Sequence, residues 1–175
     1  MIMKLFSSSL ESGKKIPLRH SKTGDNISPA LRWTDAPVEA KEFALLMEDL
    51  DLLSDGEPFL HWAIYKIQPH VRELEEDMEL YADDSGTSFA SLEGMNSFGK
   101  IGYDGPFLLL KNLSHRYRFK LFALGKKLNL STGALRSEFL KDMEGCVVAE
   151  SELECIFVSD MLLPVKNSDN GNGAL

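Results

Sequence analysis

The chain is short of cysteine, of basic residues and of long apolar runs, and each shortage removes a class of protein. Only two cysteines occur in 175 residues, Cys146 and Cys155, without the C-x-x-C spacing of a metal or redox motif. They read as reduced, mostly buried thiols. On one continuous strand their nine-residue separation spans roughly 30 Å at about 3.3 Å per residue, too far for a disulfide. No apolar run approaches the ~20 residues that a membrane-crossing helix needs. The start, MIMKLFSSSL, holds one lysine and no apolar stretch of signal-peptide length, so a cytoplasmic protein is expected. Nineteen Lys and Arg against 27 Asp and Glu leave a net charge of −8. Nucleic acid and anionic membrane both require basic surface, so neither is expected as a partner. An anion would have to be held by local donors against the field of the whole molecule. There is no G-x-S-x-G elbow, no H-x-H or H-E-x-x-H spacing and no internal repeat.

What is present is β-patterned. Composition is that of an ordinary soluble globular protein, 43% hydrophobic and 26% charged. Residues 1–165 read as one domain, and 166–175, rich in Asn, Gly, Ser and Asp, as a disordered tail. Leu31 and Trp33 alternate in a short strand that places Trp33 in the core. Phe43, Leu45, Met47 and Asp49 fall on one face of the next run and Ala44, Leu46 and Glu48 on the other. Asp49 is thus expected where a core face reaches its strand end. Phe59, His61, Ala63, Tyr65 and Ile67 are expected to share a face, as are His115, Tyr117, Phe119 and Leu121, with Arg116, Arg118 and Lys120 opposite. Between Val71 and Glu93 the chain is acidic and irregular, with a helical turn expected over Glu73 to Met78 and a turn at Asp83-Asp84-Ser85-Gly86. Ser131 predicts the N-cap of a helix from Thr132 to Glu144, closed by Gly145, with Leu135, Phe139, Leu140 and Met143 inward. A last strand follows, with Val147, Ala149, Leu153, Cys155 and Phe157 inward. Many short strands and one late helix predict a mainly β fold, an antiparallel β-sandwich with helical additions.

Two histidines sit in aromatic β runs: His61 in PFLHWAIYKI and His115 in HRYRFKLFAL. One buried histidine is usually a satisfied core residue, but two leave four ring nitrogens to pair. Asp49, at the inner end of an apolar strand, is costly to bury alone, and a histidine is its natural partner. The glycine-rich FGKIGYDGP turn brings backbone amides close to where an anion can sit.

Five blocks in order, GDNISPALRW, MEDLD, FLHWAIYKI, FGKIGYDGP with HRYRFKLFAL, and LKDMEGCVVAESEL, cover roughly Ile16 to Phe157. Together they resemble the phosphatidylethanolamine-binding proteins, in their bacterial and archaeal, Raf-kinase-inhibitor-like branch. The resemblance implies a Greek-key-like sandwich with a few peripheral helices near the C-terminus. It also implies a metal-free, cofactor-free pocket for small phosphate-like anions, including the phosphoethanolamine head group, with no catalytic turnover. Carried over residue by residue, the pocket is lined by Asp49, Asp51, His61, Gly105, Pro106, His115 and Tyr117. His61, His115, Tyr117 and the Gly105 amide are expected to donate to the anion. Asp49 would orient a histidine or accept from a protonated phosphate or an ammonium, and Asp51 would cap the following loop. A protein partner such as a kinase, and a homodimer, are further implications. Where the family carries prolines, this chain has Leu50, Leu52 and Leu53, and Phe107-Leu108-Leu109-Leu110. These leucines either fill core or form an apolar rim suited to an acyl chain or to self-association.

Two other functions fit the same residues. One is a metal-dependent hydrolase with Asp49, Asp51, His61 and His115 as ligands to Zn²⁺ or Mn²⁺. The other is an interaction protein whose pocket is vestigial. If the histidines are the anion donors, affinity should strengthen as pH falls from about 7.5 to 6, across the ordinary imidazole pKa of ~6.5.

Overall fold

A computed structural model describes residues 2–78, 91–110 and 113–159. The expected turn at Asp83 to Gly86 and the tail from 166 lie outside the described residues. In chain order the elements are β1 (Lys4–Phe6), a 3₁₀ turn (Leu18–His20), β2 (Leu31–Thr34), β3 (Glu42–Ser54), β4 (Glu57–Ile67), β5 (Glu73–Leu74), β6 (Leu92–Glu93), β7 (Ser114–Leu124), α1 (Arg136–Met143) and β8 (Val147–Val158). They form a three-stranded sheet, β1-β2-β5, and a five-stranded sheet, β6-β4-β3-β7-β8, with every pairing antiparallel. The expected mainly β architecture is present, as two antiparallel sheets and one α-helix among the described residues. No helix among the described residues is long and apolar enough to cross a membrane.

β3 is the central strand, and Glu42 to Asp49 is buried without interruption because both of its faces are covered. Phe43, Leu45 and Met47 join Trp33, Trp62, Tyr117, Phe119, Cys155 and Phe157 in the core shared with the small sheet. Ala44 and Leu46 join Leu60, Tyr65, Phe122, Phe139 and Met143 in a second core on the helix side. Both cysteines are free, and burial pushes the Cys155 thiol up to about 11, which leaves it unreactive.

Four local expectations are corrected. First, β4 does not keep one face from Phe59 to Ile67. Met47 pairs with Trp62 but Glu48 with Leu60, so His61 is an extra residue, a β-bulge; another irregularity opposite Phe43 to Leu45 accompanies the left-handed φ of 57° at Lys66. The bulges send Trp62, Ile64 and Ile67 into the core between the sheets and Ala63 and Tyr65 to the helix side. Second, the helix begins at Arg136 rather than Thr132. The Tyr65 hydroxyl donates to the Ser131 carbonyl at 2.6 Å and accepts from the Ala134 amide at 3.2 Å, which pins 131–134 in a non-helical path. Glu138 then closes the helix start by accepting from the Leu135 amide, and Leu135 and Leu140 are exposed. Third, Glu73–Leu74 are a short strand of the small sheet rather than part of a helical turn. Fourth, a register break at Ala123/Leu124 leaves Val147 exposed rather than inward.

Candidate functional site

The site is built where three strands of the large sheet come into register. Asp49 pairs across with Phe59 of β4 on one side and with Tyr117 of β7 on the other. That register gathers Asp49, His61, His115 and Tyr117, residues 68 positions apart in sequence at the extremes, at one end of the sandwich core. Asp49 is 1% exposed, and three donors serve its carboxylate. Nδ1–H of His115 donates to Oδ2 at 2.6 Å, and the backbone amides of Asp51 and Leu52 donate to Oδ1 at 2.9 and 3.1 Å. A buried charge is tolerable on these terms, because each hydrogen bond to an ionised group is of the strong kind.

His61 is held differently. The bulge turns it toward Tyr117, whose ring centroid is 5.1 Å away, and Phe59 and Phe98 flank it at 5.3 and 5.4 Å. Its Nδ1 lies 2.7 Å from the Asp104 carbonyl oxygen. A carbonyl only accepts, so Nδ1 carries the hydrogen. Desolvation by this aromatic box pulls the imidazole pKa below its ordinary value, against the opposing pull of the Asp104 carbonyl and the Asp49 charge. The Gly105 carbonyl adds a weaker electrostatic pull without hydrogen-bond geometry. Burial thus opposes the gain of charge on His61 expected between pH 7.5 and 6.

Tyr117 is fully buried, and its hydroxyl has no hydrogen-bond partner among the described residues. Burial and the nearby Asp49 carboxylate raise its pKa, so it remains a phenol. Asp49 and the Phe107 amide lie close enough to act on it electrostatically, though neither meets bonding geometry.

Other carried-over residues stand one step back. The Gly105 amide, expected to face an anion, donates instead to Asn26 Oδ1 at 2.8 Å. Gly105 is glycine for packing: a Cβ there would lie 2.0 Å from the His20 carbonyl oxygen. Pro106 is buried, and its carbonyl accepts from the Lys22 amide. Asp51 does not cap the loop, since Asp49 takes both loop amides. It accepts instead from the Arg116 backbone amide and guanidinium, the latter at 2.7 Å, which holds its carboxyl below the usual range. Of the leucines, Leu108 is buried while Leu52, Leu53, Leu109 and Leu110 are exposed, so most form a rim rather than core.

Two supports escaped the sequence reading. Asp104, 3% exposed, supplies the carbonyl that orients His61, while its carboxylate is fixed by Lys22 at 3.0 Å and by Asn96 and Asn26. His20 is fully buried as a satisfied core residue, with Nδ1–H donating to the Ile27 carbonyl and Nε2 accepting from Arg19. The Tyr103 hydroxyl donates to the His20 carbonyl and ties the two loops together. The only signal for this clamp was that GDNISP and GYDGP both occur as turn-rich blocks. A separate cleft of about 550 Å³ between Pro58, Met95 and α1 lies on the helix side and brings no histidine.

The sequence profile of the family described as phosphatidylethanolamine-binding protein matches residues 6–158, which takes in every strand from β2 to β8 and the whole site. The chain belongs to that family. A UPF0098 protein of Aquifex aeolicus is 36% identical over 160 residues, 91% of this chain and 90% of that protein. An archaeal UPF0098 protein, from Methanothermobacter thermautotrophicus, is 38% identical over 139 residues, 79% of this chain and 87% of that one. The crystal structure of a putative phosphatidylethanolamine-binding protein homologue from Chlamydia trachomatis superposes with a TM-score of 0.78 at 31% identity, covering 91% of this chain and 99% of that one. The hydrolase alternative gains nothing from the geometry: among the described residues no three His, Cys, Asp or Glu converge to hold a metal ion.

Proposed function

We propose that this member of the phosphatidylethanolamine-binding family holds a small phosphate-bearing anion at the Asp49–His61–His115–Tyr117 site, without turning it over. The observation that carries this reading is the buried Tyr117 hydroxyl with no partner among the described residues, set beside an ordered Asp49–His115 pair. A buried donor left empty costs about 1–3 kcal/mol, and a ligand oxygen would remove that cost. In this reading His115, oriented by Asp49, and Tyr117 donate to the anion. Gly105, Pro106 and Asp51 shape the surrounding loops. The exposed leucines at 52, 53, 109 and 110 flank those loops, which favours a phosphate attached to an apolar moiety, as in a phosphoethanolamine head group on its acyl chains.

Imidazole NMR on the metal-stripped protein, titrated with O-phosphoethanolamine, tests this directly. The four histidines are His20, His61, His70 and His115. His61 and His115 signals should move saturably, while the exposed His70 stays still; His20 is a poor control because it backs Gly105. Silence of both site histidines at millimolar ligand would sink the reading.

A further inference from the structure

We propose that the site selects an oxyanion that itself carries a hydrogen, a monoprotonated phosphomonoester, and rejects isosteric anions without one, with His61 Nε2 as the acceptor. The inference rests on the anion-binding reading above and deepens it. Counting donors and acceptors leads to it. Asp49 is largely occupied: Oδ1 accepts from two amides and Oδ2 from His115, and the residue is 1% exposed. Asp104 is occupied as well, its carboxylate held by Lys22, Asn96 and Asn26 and its carbonyl by His61. Both carboxylates are at most 3% exposed and already hold three donors each.

His61 offers an acceptor with no partner yet. With Nδ1–H committed to the Asp104 carbonyl at 2.7 Å, a neutral ring leaves Nε2 as a bare lone pair, and no protein group bonds it among the described residues. The charged and titratable groups around the ring are Asp49 from β3, Tyr117 and the Asp49-paired His115 from β7, and Asp104 with Lys22 from the loops. A three-sided aromatic setting of Phe59, Phe98 and Tyr117 disfavours a second proton on the ring.

A fully deprotonated oxygen at this point would set lone pair against lone pair, whereas a P–OH donates. Charge points the same way. Lys22 is already held by Asp104 and Arg116 by Asp51, so neither is free to balance a dianion, in a protein of net charge −8. A site whose buried polar group requires a ligand hydrogen discriminates far more sharply than a merely apolar one.

The experiment compares methyl phosphate with methyl sulfate by isothermal titration calorimetry at pH 5.5. Both are then mainly monoanions of one shape, because a phosphomonoester loses its second proton near ~6; only methyl phosphate has a hydroxyl. Methyl phosphate should bind at least about tenfold more tightly. In His61→Gln, whose side-chain amide can donate to a sulfate oxygen, that ratio should fall toward one. Because the ratio is taken within each variant, partial loss of folded protein does not distort it. Equal binding of the two esters by the wild type overturns the hydrogen requirement and leaves anion binding standing. A ratio unchanged in His61→Gln overturns His61 as the acceptor. Binding of neither ester overturns the inference together with the anion reading beneath it.

Discussion

Two neighbouring residues of β3 carry buried carboxylates to opposite faces of one sheet, and their partners are of opposite kinds. Glu48 and Asp49 are each 1% exposed. On the helix side Glu48 meets two guanidiniums: Arg118 donates to it at 2.8 Å, and Arg136 makes an ion contact at 2.5 Å that lies off the hydrogen-bond axis. Glu152 and Glu57 extend the network outward. On the sandwich side Asp49 meets the His115 imidazole and two backbone amides, with a phenol beside it that has no partner among the described residues. Permanent charges that neutralise one another make a closed structural cluster. A carboxylate paired with a histidine beside an empty donor is the arrangement that the proposed anion site needs.

If the Glu48 cluster is structural, Glu48→Gln should cost about 3 kcal/mol in urea unfolding, because removing one partner strands buried charge. Its ligand response should survive; loss of the NMR shifts with intact stability would reverse the assignment of the two faces. Asp49→Asn should be milder in stability, about 2 kcal/mol. It should nevertheless abolish the saturable His115 shift, since the imidazole loses its orienting partner.

The buried histidines give a pH signature that the arginine cluster lacks. His20 and His61 have pKa values lowered chiefly by desolvation. Unfolded histidine binds a proton near ~6.5 and the native rings bind theirs only at lower pH. The unfolded state then binds more protons below ~6.5, so stability is full above that pH and falls as pH drops through the window. The slope contributed by each ring reaches at most about 1.4 kcal/mol per pH unit. Unfolding at pH 7.5, 6.5 and 5.5 reads it directly, and a flat or rising profile toward acid would contradict both burials.

Tyr117→Phe sharpens the contrast most cleanly. Because the hydroxyl has no partner among the described residues, stability should change by less than about 0.5 kcal/mol or rise slightly, while phosphate affinity falls about tenfold. A large stability loss with unchanged affinity would mean that the phenol is structural after all. At the bottom of the scale, Leu53→Ser on the exposed rim should shift stability by no more than about 0.5 kcal/mol.

The alternation in HRYRFKLFAL was legible because β7 runs regularly: Tyr117, Phe119 and Leu121 face the core, while Arg116, Arg118 and Lys120 pair with Asp51, Glu48, Glu150 and Glu152 on the other side. FLHWAIYKI looked equally regular and was not. A bulge is a mismatch between two strands, and one strand's pattern holds no record of its partner's register. The helix start failed for a related reason: Ser131 has good capping chemistry, but its carbonyl is taken by Tyr65, 66 positions away. β5 and β6 are two residues each, too short to show a period.

The residue types and order of the site were settled by the chain itself: a carboxylate, two imidazoles, a phenol and a glycine turn, in blocks sufficient to mark the family. Strand identity followed from period 2, since that is a local property of the backbone. Which donors each carboxylate takes, which amide is already bonded, and which histidine is desolvated were decided only by folding. Each depends on groups brought within about 3 Å from distant segments, as when Asn26 takes the Gly105 amide and Asp104 takes His61. Hydrogen bonding and desolvation act over that distance, and sequence spacing carries no measure of it.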